Sequence, residues 1–536
     1  MDRMTPASTR DLLYEECEAL RGVQNRLCAL YAGRGFREVM TPAMEYSGVF
    51  AADAAVSQRM VRLMDTAGQL CCLRPDCTLP IARLCGTKLQ HAPLPIRLFY
   101  SQQVYSAPRE HSGKEAEVSQ VGVELIGETG LAADIEILSL ASESLQALGG
   151  GHRLEICHIG FFRSLIAGLT AAEAVKEQVR ALIEQKSYAM LGDLLAPYRE
   201  QPAARALCAL PRLFGTRSVL EKARALQPGE EGMQALDYLE ELLDRLEQAG
   251  LGENITIDLG LINHADYYTG VIFRGYGEGL GEAVLSGGRY DRLLGRFGRD
   301  LPATGFGVNA TLASRGGAES GRPQEEGITL ALTKGRLERK TAQMLAALGY
   351  DCSALEEKGR RLVLPLGDSG IRVILAKAAD VITYVENGVA DVGIVGKDTI
   401  LESGGSFYEV LDLGFGKCRF ALAAKSREAV FSGYSAKRIA SKYPHVALSY
   451  FEGLGLDVNI VKIEGSVELA PLIGLCDAIV DIVETGSTLK ENGLQVIEEI
   501  APISARMIVN AASMKLRQQP VERLISQVED YLRREG

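Results

Sequence analysis

The chain has no tryptophan, only six histidines, and aromatic residues make up 6% of its 536 positions. Basic residues are outnumbered: 58 Lys and Arg against 69 Asp and Glu leave a formal charge of −11, which argues against a broad nucleic-acid-binding surface. A local basic pocket for a small anion is still compatible with that balance. No apolar run approaches the length of a membrane span, and Met1-Asp2-Arg3-Met4-Thr5-Pro6 has no apolar signal core. A cytoplasmic protein that does not engage membranes is therefore expected. The eleven cysteines are scattered, and the cluster Cys71, Cys72, Cys77, Cys85 lacks paired CxxC spacing and has only His91 nearby. That argues against a zinc site and leaves reduced, buried thiols as the expected state. No long low-complexity tract interrupts the chain, so its length allows three to four domain-sized units, each with its own core.

What is present divides into two unlike halves. Residues 8–32 carry Leu13, Cys17, Leu20, Val23, Leu27 and Leu30 on one helical face. Strand patterns follow at Phe36–Met40, Ile96–Tyr105, Val118–Ile126 and Leu154–Ile159, with an amphipathic helix over 131–148. Residues 161–248 read as a helical insertion, and strands resume at Ile255–Leu261, Tyr267–Arg274 and Ala283–Ser286. That order predicts an α+β unit with a largely antiparallel sheet. Gln120 and Glu124 lie four apart on one strand and hence on one face. A carboxylate at a strand interior needs a partner, either a ligand N–H or an internal donor such as Tyr268 or Arg289. Residues 313–326, rich in Gly, Ser and Glu, read as the boundary, with 316–326 as the linker.

From Gly327 strands and helices alternate, as an α/β fold requires. Strands are expected at Ile328–Leu332, Arg361–Leu366, Ile371–Ala376 and Ala390–Asp398, the last turning on Gly396 into a helix start, and a helix over Ala378–Asn387. Near Gly414–Lys417 the chain crosses into a second lobe of about 416–503, returns around Ile503–Val509 and closes with a charged helix over 517–534. Two lobes joined by a double crossing imply a cleft. In the second lobe, Ala478–Val483 has the β-branched content of a buried parallel strand. It breaks at Glu484-Thr485-Gly486-Ser487-Thr488 and resumes as a helix stopped by Asn492-Gly493. A glycine, hydroxyls and a helix start make an anion site, with Asp481 and Glu484 beside it for ribose hydroxyls or Mg²⁺. The five loop residues fit equally an ordinary β–α turn with a Ser/Thr cap.

These motifs carry two resemblances. Leu73-Arg74-Pro75-Asp76-Cys77-Thr78, the segment Arg97 to Glu128, Asp266 to Gly270 and Ser286-Gly287-Gly288-Arg289-Tyr290-Asp291 resemble the class II catalytic core of histidyl-tRNA synthetase over about residues 8–315. The departures fall where that chemistry needs arginine: Ser106 and Asn263 stand at two such positions, and Gly305 to Leu312 lacks the third. No anticodon-binding domain intervenes before the second half. The amino-acid pocket is kept in Asp76, Thr78, Gln120, Glu124 and Tyr268. A pocket without adenylation resembles the regulatory subunit of short-form ATP phosphoribosyltransferase, and implies histidine as effector with no tRNA.

The second half resembles the short-form catalytic subunit of the same enzyme. The resemblance rests on Lys334-Gly335-Arg336-Leu337, Asp380 to Val385, Ala390 to Asp398, Gly465 to Pro471 and 477–490. It implies transfer of the 5-phosphoribosyl group of phosphoribosyl diphosphate to N1 of ATP, with pyrophosphate leaving with Mg²⁺, in a homo-oligomer. Asp481, Glu484, Thr485, Gly486, Ser487 and Thr488 would hold the phosphoribosyl group. Lys334, Arg336 and Lys377 would do the catalytic charge neutralisation, and Arg360 and Arg361 would reach ATP or the diphosphate. The metal ligands stay unassigned. Lys377 departs from the family's usual arginine, keeping the charge but not the bidentate fork. The rival readings are a two-lobed solute-binding protein and an active synthetase fused to an unrelated domain.

Overall fold

The computed structural model describes residues 4–51, 54–108, 113–262, 267–319, 327–433 and 435–535. The chain forms two compact units, Met1–Gln324 and Glu325–Gly536.

The first unit is built on a nine-stranded sheet. Its strands are β1 (Arg37–Glu38), β2 (Ile96–Tyr105), β3 (Glu117–Ile126), β4 (His152–His158), β5 (Phe214–Gly215), β6 (Ile255–Asp258), β7 (Val271–Gly277), β8 (Leu285–Arg289) and β9 (Ala303–Asn309). They lie in the order β1-β2-β3-β9-β8-β7-β4-β6-β5. All pairs are antiparallel except β1 with β2 and β4 with β6. The helix α1 (Glu15–Gly33) buries Leu20, Val23, Gln24, Leu27 and Tyr31. Leu13 lies outside it and is exposed, so the apolar face starts later than the periodicity suggests. The other helices used below are α2 (Thr78–Gly86), α3 (Gly130–Leu148) and, within the helical insertion, α4 (Gly229–Gln248). A small sheet formed by Met44–Tyr46, Arg62–Met64 and Leu70–Leu73 was not expected. The stretch read as the start of the linker is helical up to Glu319, because Ala310, Thr311 and Ala313 are buried. Residues 320–326, Asn263 and Asp266 lie outside the described residues.

The second unit holds two sheets. The first lobe contains β10 (Thr329–Thr333), β11 (Val363–Pro365), β12 (Arg372–Ala376), β13 (Val392–Gly396), β14 (Phe407–Asp412) and, after the return crossing, β20 (Ala505–Asn510). Their order is β11-β12-β10-β13-β20-β14. The parallel core β12-β10-β13 is buried on both faces, which its Leu/Ile/Val content requires. The second lobe contains β15 (Cys418–Ala424), β16 (Lys437–Ser441), β17 (Val458–Lys462), β18 (Ala478–Val483) and β19 (Gln495–Ile503), ordered β17-β16-β18-β15-β19. The strand β18 is parallel to β16 but antiparallel to β15, so it is a strand of a mixed sheet rather than of a parallel one. Its burial is nonetheless two-sided. Ala478 and Val480 join one core cluster, Ile479 and Val483 another. The helices of this unit used below are α5 (Arg336–Ala347), α6 (Ala378–Glu386), α7 (Lys397–Ser403), α8 (Pro444–Gly453), α9 (Ser487–Glu491) and α10 (Gln518–Glu535). Among the described residues no helix is long and apolar enough to cross a membrane.

Candidate active site and candidate effector pocket

In the second unit the functional side chains gather where strands end. The backbone N–H of Lys334 donates to the carbonyl of Ala376 at 2.9 Å, setting Lys334 beside Lys377 at the carboxyl ends of β10 and β12. Ligands of open α/β sheets bind at that edge. Leu375 donates to the carbonyl of Leu362 at 2.8 Å, which brings the turn carrying Arg360 and Arg361 to the same end. Both arginines are exposed, and Arg361 spends its guanidinium on the carbonyls of Glu357 and Lys358 at 3.3 and 3.4 Å. Lys334, Arg336 and Lys377 are exposed too. Four expected basic positions and Arg336 thus share one rim.

The second lobe presents its own carboxyl edge, where Ser441 and Val480 are register partners in parallel β16 and β18. Beyond β18 the loop 484–488 turns on Gly486, whose φ of 78° is left-handed and costs glycine nothing. The Thr485 and Ser487 hydroxyls pair at 3.0 Å. One expectation fails here. The helix after the loop is only five residues long, Ser487–Glu491, since Asn492 and Gly493 end it at once. A helix macrodipole at this loop is therefore negligible, and what remains for an anion is the loop backbone and its hydroxyls. Asp481 is partly buried, and burial, then the nearby Glu468 carboxylate, raise its pKa against the pull of Ile482 N–H and Lys442.

The two edges meet. Arg336, the first residue of α5, donates Nη1 to Glu484 Oε2 at 2.9 Å and Nη2 to Oε1 at 3.1 Å. Each group shifts the other in the direction of its charged form. Arg419 Nη1 reaches the Glu484 carbonyl at 3.4 Å, and its Nε faces Glu499 at 2.7 Å. Asp398 accepts from the Tyr443 hydroxyl at 3.3 Å, and Tyr443 stacks edge-on against Phe420 at 4.9 Å. Burial pushes Cys418, at the root of the cleft, up, with Asp398 and Glu484 adding to it, so its thiol stays protonated. Arg419 and Tyr443 carried no local motif, and Asp398, at the end of the Ala390 to Asp398 match, was given no role as a site residue. Only the topology brings them here.

The pocket of the first unit is organised by Glu124, 1% exposed in the middle of β3. It accepts from Thr78 Oγ1 at 2.8 Å and from the Tyr290 hydroxyl. The expected internal partners were Tyr268 or Arg289. Arg289 is instead committed to Asp134 at 2.7 Å and to Asp291 at 3.1 Å, and Tyr238 of α4 donates to the same Asp134 at 2.6 Å. Tyr268 lies against Tyr267 at 4.9 Å between ring centroids, and Tyr267 meets Tyr290 edge-on at 5.7 Å. Asp76 accepts from the backbone of Leu79 at 3.1 Å, and its charge is near enough to push Glu124 up. Burial does most of that work and brings Glu124 to about 7. Gln120 accepts from Tyr100 at 3.1 Å. Gly305 of β9 is the register partner of Glu124, and a Cβ there would collide with the carboxylate and the Val123 carbonyl. Tyr290 sits inside the SGGRYD segment, which is the signal that could have marked it. Ser106, in place of a cationic side chain, only continues the backbone, donating to Ala116 at 2.9 Å.

A two-lobed α/β unit with basic and hydroxyl groups on its strand ends, on one chain with a class II synthetase-like unit, is the arrangement of a transferase acting on a phosphorylated sugar with an attached synthetase-like domain. Comparison with known proteins makes this specific. The histidyl-tRNA synthetase family model matches residues 8–311, and the ATP phosphoribosyltransferase family model matches 377–530. Over 205 residues the chain is 58% identical to ATP phosphoribosyltransferase of Clostridium kluyveri, covering 38% of this chain and 94% of that protein. Over 315 residues it is 38% identical to the ATP phosphoribosyltransferase regulatory subunit of Clostridium acetobutylicum, covering 58% of this chain and 77% of that one. A crystal structure described as an ATP phosphoribosyltransferase regulatory subunit/histidyl-tRNA synthetase from Bacillus halodurans superimposes with a TM-score of 0.54 at 31% identity, covering 71% of this chain and 94% of that chain. The chain belongs to the ATP phosphoribosyltransferase family, as the short-form enzyme fused behind a synthetase-like regulatory domain.

Proposed function

We propose that the second unit transfers the 5-phosphoribosyl group of phosphoribosyl diphosphate to N1 of ATP, and that the first unit binds histidine and restrains it. The observation that carries the catalytic part is the contact of Arg336 with Glu484 across the two lobes, with Lys334 and Lys377 side by side on the same first-lobe strand ends. The reaction needs no covalent nucleophile. Two anionic substrates must be aligned, and the charge on the departing pyrophosphate neutralised. The loop hydroxyls and the backbone at Gly486 would take the 5-phosphate, Asp481 and Glu484 the ribose hydroxyls, and the basic rim the polyphosphates. Arg360 and Arg361 stand further out on that rim.

Among the described residues no group of three or more His, Cys, Asp or Glu side chains could hold a metal ion. Mg²⁺ carried by substrate phosphates would be touched by one or two carboxylates, for which Asp481 and Glu484 are the candidates. When bound, the ion would offset negative charge on the leaving group. The protein's own part is to orient the sugar and to present Lys334, Arg336 and Lys377.

For the first unit the reading rests on Glu124, a buried carboxylate within reach of Thr78 and Tyr290 and beside Asp76 and Tyr268. It suits an imidazole N–H or an ammonium. Adenylation and tRNA charging are not expected, because Ser106 offers no charge to an ATP phosphate. Two assays test the proposal. Pyrophosphate should be released only with ATP, phosphoribosyl diphosphate and Mg²⁺ together; release with either substrate omitted refutes the transfer. Inhibition by histidine should weaken more than tenfold in Glu124→Ala, since a charge-assisted bond is worth about 1.5–3 kcal/mol. Superimposable inhibition curves would place histidine elsewhere.

A further inference from the structure

Two of the ion pairs of the second unit differ in kind. Lys397–Glu409 is sealed, with side chains 4% and 2% exposed, and is part of the fold. Arg336–Glu484 is open, with side chains 58% and 57% exposed, yet it is bidentate and joins the first lobe to the second. A bidentate guanidinium–carboxylate fork is the geometry with which arginine also grips a diphosphate. Glu484 therefore occupies the position in which a substrate phosphate would meet Arg336. It is itself one of the carboxylates suited to ribose hydroxyls, so each partner is withheld from a ligand group by the other.

We propose that Glu484 is a built-in occupant of the anion subsite at Arg336. The diphosphate of the incoming sugar substrate takes the arginine and releases the carboxylate to the sugar. This rests on the phosphoribosyl reading of the cleft and adds to it an exchange of partners that couples anion binding to sugar recognition. Magnitude favours exchange over a permanent lock. A solvent-exposed pair adds little net stability, which a doubly charged ligand readily outweighs, whereas a buried pair is far harder to break. Arg419, whose Nη1 reaches the Glu484 carbonyl at 3.4 Å, keeps the backbone of the released residue in place.

The probe is inorganic pyrophosphate, which has no sugar and so isolates the anion half of the exchange. Calorimetric titration of the full chain at low ionic strength should show Glu484→Gln binding pyrophosphate two- to fivefold more tightly than the parent. Arg336→Gln should bind it more weakly, and Arg336→Gln/Glu484→Gln no more tightly than Arg336→Gln alone. High salt should shrink the gain in Glu484→Gln, because the competing pair is screened. Equal or weaker binding by Glu484→Gln overturns the proposal. So does a gain that persists without Arg336, or an absence of pyrophosphate binding in every variant. A failure of the catalytic reading is separate: the parent would then form no product from ATP and phosphoribosyl diphosphate, whatever the titrations give.

Discussion

Lys397 and Glu409 form an ion pair of 2.6 Å at the hinge between the two lobes. Glu409 also faces Arg506 Nε at 3.5 Å, Arg506 Nη2 reaches Asp412 at 3.1 Å, and Ser504 Oγ donates to Asp412 at 2.7 Å. Asp412 ends the strand before the outward crossing, while Ser504 and Arg506 flank the return. The network thus ties both crossings to α7, whose Glu402 accepts from the backbone N–H groups of His445 and Val446 at the start of α8 in the other lobe. Lys397→Met leaves a buried carboxylate short of its closest cation. A loss of about 3–5 kcal/mol in unfolding free energy is expected, partly recovered when Glu409→Gln is added. Denaturant titration of both variants measures it, and strict additivity would show that the pair is not coupled.

Gly486 supplies the second prediction. At φ 78° a β-branched side chain is strained by about 1–2 kcal/mol, and it would also stand where the loop backbone must approach a phosphate. Gly486→Val should keep a cooperative unfolding transition but lose more than 10²-fold in kcat/KM for phosphoribosyl diphosphate. Near-normal turnover would remove the loop from the site.

Glu124 gives a pH dependence with a definite sign. Its folded value of about 7 lies above the ordinary 4.5, because burial favours the protonated form. The fold therefore keeps its full stability below about pH 4.5, loses it progressively up to pH 7, and recovers nothing above. That displacement corresponds to about 3 kcal/mol. Glu124→Gln should make the effector-free protein more stable than the parent at pH 8, with the difference closing at pH 4.5. Denaturation midpoints at the two pH values decide this; a difference independent of pH would mean that the carboxyl is not titrating.

Lys377 begins α6 at the strand end beside Lys334. If it faces a polyphosphate, Lys377→Arg should retain or raise kcat, while Lys377→Ala should lower it at least tenfold. Equal rates in all three would leave it a surface charge.

Strand and helix positions were largely readable from periodicity, because each element buries its own apolar face. The crossings at 412–418 and 503–505 were readable from the change of pattern as well. Partners were not. Tyr290 meets Glu124 from 166 positions away and Arg336 meets Glu484 from 148, distances over which only topology decides. Arg289 was a plausible partner for Glu124 until the fold committed it to Asp134, a residue of α3 with no motif of its own. The mixed pairing of β18 was hidden for a related reason: burial on both faces gives the same apolar run in parallel and mixed sheets. The five-residue helix after Gly486 shows the reverse case, since Asn492-Gly493 was visible but its closeness to the loop was not weighed against the dipole.

The strand β20 lies between β13 and β14 in the first-lobe sheet, although 92 residues of chain separate its start from the end of β14. During synthesis the ribosome therefore delivers the strand next to that sheet's edge after nearly everything else. The second lobe, contiguous from Cys418 to Ile503, can acquire its core while the first still has a gap between two strands. Until residues 505–510 emerge, β13 and β14 each expose an unpaired edge, the arrangement most open to wrong pairing with another chain. A nascent chain stalled between these points would carry a finished synthetase-like unit and the 484–488 loop, but no completed first-lobe sheet to face it.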